Sequence, residues 1–130
     1  MRSIFAPLDV RLLSENKTDD EIYNVVQPDL IVVCDPAKVD GKGLKGSPDL
    51  AIEILSKSTA KKDKTVKKQL YEKAKVKEFW IVDPLLEYVE VYLLDEQYNY
   101  VPPAVYGNED TIHVSLFEQL DIDLTAIFAN

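Results

Sequence analysis

Residues 47–59 read SPDLAIEILSKST. Taken as a strand, this stretch sets Leu50, Ala51, Ile52, Ile54 and Leu55 around a single glutamate, Glu53. Alternate side chains share a face, so Asp49, Ala51, Glu53 and Leu55 point one way and Leu50, Ile52 and Ile54 the other. A carboxylate buried without a partner is costly or changes its protonation state. Glu53 is therefore half of an ion pair or a ligand, and the rest of the chain must supply what it binds.

Outward from this stretch the chain alternates apolar runs with punctuation. VVQPDLIVVCD (25–35) is a nearly continuous apolar strand, the pattern of burial on both faces. It is predicted to pair antiparallel with PDLAIEIL (48–55). The intervening PAKVDGKGLKG (36–46) holds three glycines and a proline and reads as a mobile connection. IFAPLDVRLL (4–13) is a first strand with Leu8, Val10 and Leu12 on one face, followed by a polar loop, ENKTDDEIYN (15–24). STAKKDKTVKKQLYEKAKV (58–76) has helical spacing, with Ser58 or Thr59 as its cap. KEFWIVDP (77–84) is a strand that stops at Pro84, with Phe79 and Trp80 as core residues. YVEVYLLDEQYNYV (88–101) is a hairpin turning near Asp95. TIHVSL (111–116) is a short strand, and LDIDLTAIF (120–128) a final helix or extended tail. The order β-β-β-α-β-β-β gives an α/β (α+β) fold, a mixed sheet with one flanking helix. One helix covers one face, so the other face is expected to need a cover from a partner or a further segment.

The 130 residues make a single domain, 1–130, and 46% hydrophobic content suffices for a core. The net charge of −8 argues against a generally basic nucleic-acid binder. The lone Cys34 excludes an internal disulfide, indicates a reducing compartment and reads as a small core residue. Neither a signal peptide nor a membrane span is legible, so a cytoplasmic location is expected. His113 is the single histidine, far along the chain from the acids, and no zinc or Ser-His-Asp spacing occurs.

Asp29 follows Pro28 at the mouth of one buried strand, and Asp49 follows Pro48 at the mouth of the next. Asp49 and Glu53 lie roughly 13 Å apart at about 3.3 Å per residue and cannot share an ion directly. Asp29, across the ladder, can approach Glu53, since facing Cβ atoms lie about 5 Å apart. Facing carboxylates repel unless a divalent cation sits between them, and Mg²⁺ and Mn²⁺ prefer such oxygen ligands. Alternatively, Glu53 pairs with a basic side chain and is structural. On the helix, at 100° per residue, Val66, Leu70 and Ala74 form an apolar stripe. Asp63 and Lys67 fall inside it and Tyr71 at its edge, whereas Lys61, Lys64, Lys68 and Lys75 point elsewhere. An inward Lys67 in reach of Glu53 accounts for both anomalies; an Asp63–Lys67 pair or a snorkelling lysine is the competing account.

Together, APLDVRL, VVQPDLIVVCDP, GSPDLAIEILSKST, KKDKTVKKQLYEKAKVKEFWIVDP and VEVY resemble, in order and over most of the chain, the restriction-endonuclease-like family of the PD-(D/E)XK nuclease superfamily. The resemblance implies a mixed sheet flanked by helices, with Asp29 as the motif aspartate and Glu53 as the second metal ligand. The usual lysine position two residues after Glu53 is Leu55; in this family the lysine has moved to the following helix, where Lys67 matches. Asp49 and Asp63 would be auxiliary. Family members carry a strand and a helix ahead of APLDVRL, and that N-terminal part of the usual fold is expected to be absent here.

The function so implied is metal-dependent hydrolysis of phosphodiester bonds in DNA, with Mg²⁺ or Mn²⁺ on Asp29 and Glu53 and electrostatic help from Lys67. The alternative is a nuclease-like module without activity, acting in protein interaction or as a homo-oligomer, a dimer. Between Lys57 and Lys77 stand nine lysines and two acids. Lys57, Ser58, Lys61, Lys64 and Lys68 are thus candidate contacts to a phosphate backbone, with weak binding expected from an acidic protein; a solvated helix face is the plainer account.

Overall fold

The computed structural model describes residues 3–5, 9–12, 24–56, 63–115 and 120–128. Its strands are β1 (Ser3–Phe5), β2 (Val10–Leu12), β3 (Asn24–Val26), β4 (Leu30–Val33), β5 (Val39–Asp40), β6 (Gly43–Lys45), β7 (Leu50–Ile54), β8 (Glu78–Asp83), β9 (Tyr88–Leu93), β10 (Ala104–Gly107), β11 (Thr111–His113) and β12 (Asp121–Asp123). A π-helical segment, Asp63–Lys67, runs into helix α1 (Lys68–Lys73), and α2 is Leu124–Phe128. The main sheet has the order β1-β4-β7-β8-β9-β10. Within this sheet, among the described residues, β7 and β8 are the parallel pair, with α1 in their connection, so the sheet is mixed. Among the described residues no helix is long and apolar enough to cross a membrane.

The two faces are built differently. On one, Ile31, Val33, Ala51, Leu55, Phe79, Ile81 and Tyr92 pack under Tyr71, Ala74 and Val76, and under Val10, Leu12 and Leu44 of the small sheet β3-β2-β6-β5. Phe79 centres this core, its ring 4.8 Å from that of Tyr71. Burying each such large apolar side chain is worth about 1.5–3 kcal/mol. The other face, expected to lack a cover, has one: Ile112, Val114 and Leu124 of the C-terminal segment pack on Val32, Leu50, Trp80, Val89 and Val91. The tail that reads ambiguously as helix or extended chain is both, β12 followed by α2.

Other expectations change in register. The stretch 4–13 supplies two strands, β1 and β2, in different sheets. The run 25–35 is likewise split, β3 from β4, at Gln27 and Pro28; a proline cannot donate to a central ladder. The glycine-rich 36–46 holds a 3₁₀ turn (Pro36–Lys38) and the β5–β6 hairpin. Arg11, buried in β2, binds that hairpin by donating from Nη2 to Asp40 Oδ1 at 2.7 Å and from Nε to the Leu44 carbonyl. The guanidinium holds the Asp40 carboxyl below its ordinary value of 3.8, helped by the Lys42 amide. After β9 the hairpin returns as one bridge, Leu94–Tyr100, and the edge strand is β10, in a stretch where the sequence alone predicts no element. Cys34 is exposed, because it lies just past the end of β4 rather than within the core.

Candidate active site

Glu53 sits near the end of β7, on the face beneath α1, and is only 2% exposed. Both carboxylate oxygens have partners. Lys67 Nζ donates to Oε2 at 2.9 Å, and the Tyr71 hydroxyl donates to Oε1 at 2.8 Å. The two donors are four residues apart, hence neighbours on one helical face. Their surroundings differ. The Lys67 side chain is 24% exposed, while Tyr71 is fully buried against Phe79. The π-helical segment changes the phase at the start of the helix: Val66 leaves the expected stripe and is 54% exposed, Lys67, Leu70 and Ala74 keep their places toward the sheet, and Tyr71 moves from the edge of the stripe into it.

Asp29 comes to Glu53 by register. Leu30 pairs with Ile52, so the next position along the antiparallel ladder sets Asp29 opposite Glu53. Its carboxylate lies against the strand bearing Glu53, with Oδ2 accepting the Ile54 amide at 2.7 Å. Asp49 does the same at the opposite end of the hairpin, where its Oδ2 accepts the Cys34 amide at 2.7 Å. The two Pro-Asp pairs thus close the β4–β7 ladder symmetrically, each aspartate satisfying an amide just past the last paired rung. The register continued by one position sets Asp29 across from Glu53, and Asp49 lies at the other end of the ladder. The remaining Asp49 oxygen is 3.9 Å from Lys77, a largely exposed and weak pairing.

Other candidates fall outside this cluster. The side chains of Asp63 and Lys64, and all of Lys57, Ser58 and Lys61, lie outside the described residues. Lys68 Nζ stands 5.0 Å from the centroid of the Tyr92 ring, a cation–π contact. His113 is on the surface, with Nδ1 2.8 Å from Asp121 Oδ1. Sequence reasoning placed Tyr71 at the edge of the stripe and gave it no role; its spacing of four from Lys67 was the available signal.

Among the described residues no group of three or more His, Cys, Asp or Glu side chains is placed to hold a metal ion. A structural zinc site, with its four ligands, does not fit. Two carboxylates do fit Mg²⁺ or Mn²⁺, which take hard oxygen ligands and complete their shells with water and phosphate. Carboxylate oxygens carry further acceptor capacity beyond the hydrogen bonds seen at Asp29 and Glu53.

The sequence model of the Uma2 family, described as "Putative restriction endonuclease", matches residues 6–126. A comparison with curated proteins finds no match. Among solved structures, the chain is similar to a protein of Anabaena variabilis described as a "putative nuclease belonging to DUF820", with a TM-score of 0.71 at 19% identity. The likeness covers 98% of this chain and 68% of that one, and shows that the two share a fold. With the family match spanning nearly the whole sequence, the chain belongs to the Uma2 family of restriction-endonuclease-like proteins.

Proposed function

We propose that this protein is an endonuclease that hydrolyses phosphodiester bonds in DNA, with Mg²⁺ or Mn²⁺ held by Asp29 and Glu53. One observation carries the reading: a buried glutamate with a lysine on one oxygen, set by register opposite an exposed aspartate. Lys67 and Tyr71 satisfy that carboxylate, and metal-assisted phosphoryl chemistry gives it a use. When bound, the metal would supply a water of lowered pKa and offset charge on the phosphate. Asp29 presents its carboxylate toward solvent, where a phosphate can reach it. Glu53 is held in a fixed orientation. Lys67, partly exposed, keeps its ammonium between Glu53 and solvent and offers positive charge to a phosphate oxygen. Contact with DNA rests on the lysines of α1 and its entry; with a net charge of −8, binding should be weak and strongly salt-dependent.

The test is nicking of supercoiled plasmid at low salt with Mg²⁺ or Mn²⁺. Wild-type protein should nick, and Glu53→Gln, Asp29→Asn and Lys67→Ala should each lose at least ~100-fold in rate. Equal nicking by wild type and Glu53→Gln would exclude this site.

A second reading, a nuclease-like module working through protein contacts, also has an observation in its favour. The exposed Ile127 lines an apolar cleft with Ile52, Trp80, Val82 and Leu124, and Ile54, exposed as well, lies two residues along β7 from Ile52 on the same strand face. Pairing of two copies there would bury it. Sedimentation equilibrium decides: a dimer that Ile54→Lys dissociates supports this reading, and a monomer removes it.

A further inference from the structure

Tyr71 is a buried tyrosine whose hydroxyl the proposed chemistry leaves unused. From its geometry we infer that Tyr71 is the positioning residue of the metal site: it fixes the Glu53 carboxylate in the orientation that receives the cation. The inference rests on the reading of Glu53 as a metal ligand.

Three observations carry it. First, the Tyr71 hydroxyl has one hydrogen, and an ionised carboxylate can only accept, so the 2.8 Å contact to Oε1 has a single direction. Second, Lys67 and Tyr71 are unequal in rigidity. Lys67 is a four-carbon stem with a quarter of its side chain in water, and its ammonium can move. Tyr71 is fully buried, and its ring is wedged against Phe79, which in turn stacks on Tyr92 and approaches Tyr100. Two torsions place the tyrosine hydroxyl, and packing fixes both. Third, the partners divide the carboxylate. The charged donor takes Oε2 and the neutral one Oε1, so Lys67 can swing toward a substrate phosphate while Oε1 remains anchored. Hydrogen bonds of this kind behind ligating carboxylates orient the ligand, and their removal typically costs about 10–100-fold in metal affinity or activity.

The experiment is calorimetric titration with Mn²⁺ of wild type, Glu53→Gln, Tyr71→Phe and Phe79→Leu. Tyr71→Phe keeps the ring and removes only the hydroxyl. Phe79→Leu disturbs the same aromatic packing and leaves the hydroxyl in place. Saturable binding by wild type, weakened at least ~10-fold in Tyr71→Phe and within about twofold in Phe79→Leu, is expected. Equal affinity in wild type and Tyr71→Phe would overturn the inference while leaving Glu53 as ligand. Loss of affinity equally in Phe79→Leu would reduce Tyr71 to packing and overturn it as well. Absence of binding by wild type would overturn the metal reading and this one together. Should Tyr71→Phe not fold, wild-type protein still decides: Mn²⁺ should broaden the Tyr71 ring resonances selectively over those of Tyr106, and unselective or absent broadening overturns the inference.

Discussion

Replacing Lys67 by methionine removes the cation from the buried Glu53 and leaves the Tyr71 hydroxyl on Oε1. Removing one member of a buried ion pair costs about 3–5 kcal/mol, because the remaining charge is uncompensated. Here two features lower the figure. Lys67 is partly exposed, so solvent already screens the pair, and Tyr71 continues to satisfy Oε1. A loss of roughly 2–3 kcal/mol is expected. With an unfolding entropy of about 2.1 cal/mol/K per residue, this corresponds to a Tm lower by roughly 7–11 °C for a chain of 130 residues. Urea unfolding followed by fluorescence of Trp80, the single and buried tryptophan, measures it. Glu53→Gln on the Lys67→Met background should recover more than half of the loss, since the amide is neutral and still accepts from Tyr71. Should Lys67→Met unfold within ~0.5 kcal/mol of wild type, or the second substitution only add its own cost, the reasoning that Glu53 is a charge held by Lys67 is refuted.

The remaining predictions concern other parts of the fold. Asp29→Ala and Asp49→Ala should destabilise about equally, by ~1–2 kcal/mol, since each removes a charged acceptor from a strand-end amide; only Asp29→Ala should weaken Mn²⁺ binding. Gly43 has φ +112°, and an added Cβ would lie 2.2 Å from the Asp9 carbonyl oxygen, so Gly43→Ala should cost more than ~3 kcal/mol in chemical unfolding. Gly41→Ala, in open space, should change stability by less than ~0.5 kcal/mol. Burial, with the Glu72 charge adding to it, pushes the Tyr100 phenol above its ordinary value of 10.0. Above that pH the unfolded chain releases a proton the native protein retains, so stability falls by up to about 1.4 kcal/mol per pH unit. Tyr100→Phe gives up the bond to the Val76 carbonyl, about 1 kcal/mol, but its loss of stability between pH 10 and 11 should be shallower by that slope; parallel curves would contradict the assignment.

Residue patterning carried the centre of the sheet well. The alternation around Glu53, the antiparallel pairing of β4 with β7 and the existence of strand β8 after the helix follow from long apolar runs with clear stops, whereas the parallel pairing of β8 with β7 is known from the structure alone. The Glu53–Lys67 pair was legible for a reason that does not depend on the helix being regular, since each residue is anomalous in its own element. Tyr71 and Val66 exchanged places because a 100° wheel presumes α-helical geometry, and the π-helical segment departs from it. The short strand at 111–116 and the tail are legible as elements, but their role as cover of the second face is not: β11, β12 and α2 are three, three and five residues, and their burial depends on contacts distant in sequence. The structural duty of Asp29 and Asp49 was half visible: both follow a proline at a strand mouth, but the amide each serves belongs to the other strand.

The most direct test of the central claim is a Mn²⁺ titration by calorimetry at pH 7 on the wild-type chain beside its Glu53→Gln and Asp29→Asn variants. The account predicts saturable binding of about one ion per chain, abolished in Glu53→Gln and strongly weakened in Asp29→Asn, as expected for a cation held by two carboxylates. Wild-type protein that is folded and takes up no Mn²⁺, or variants that bind as wild type does, would contradict it and leave Glu53 as the buried half of a structural ion pair.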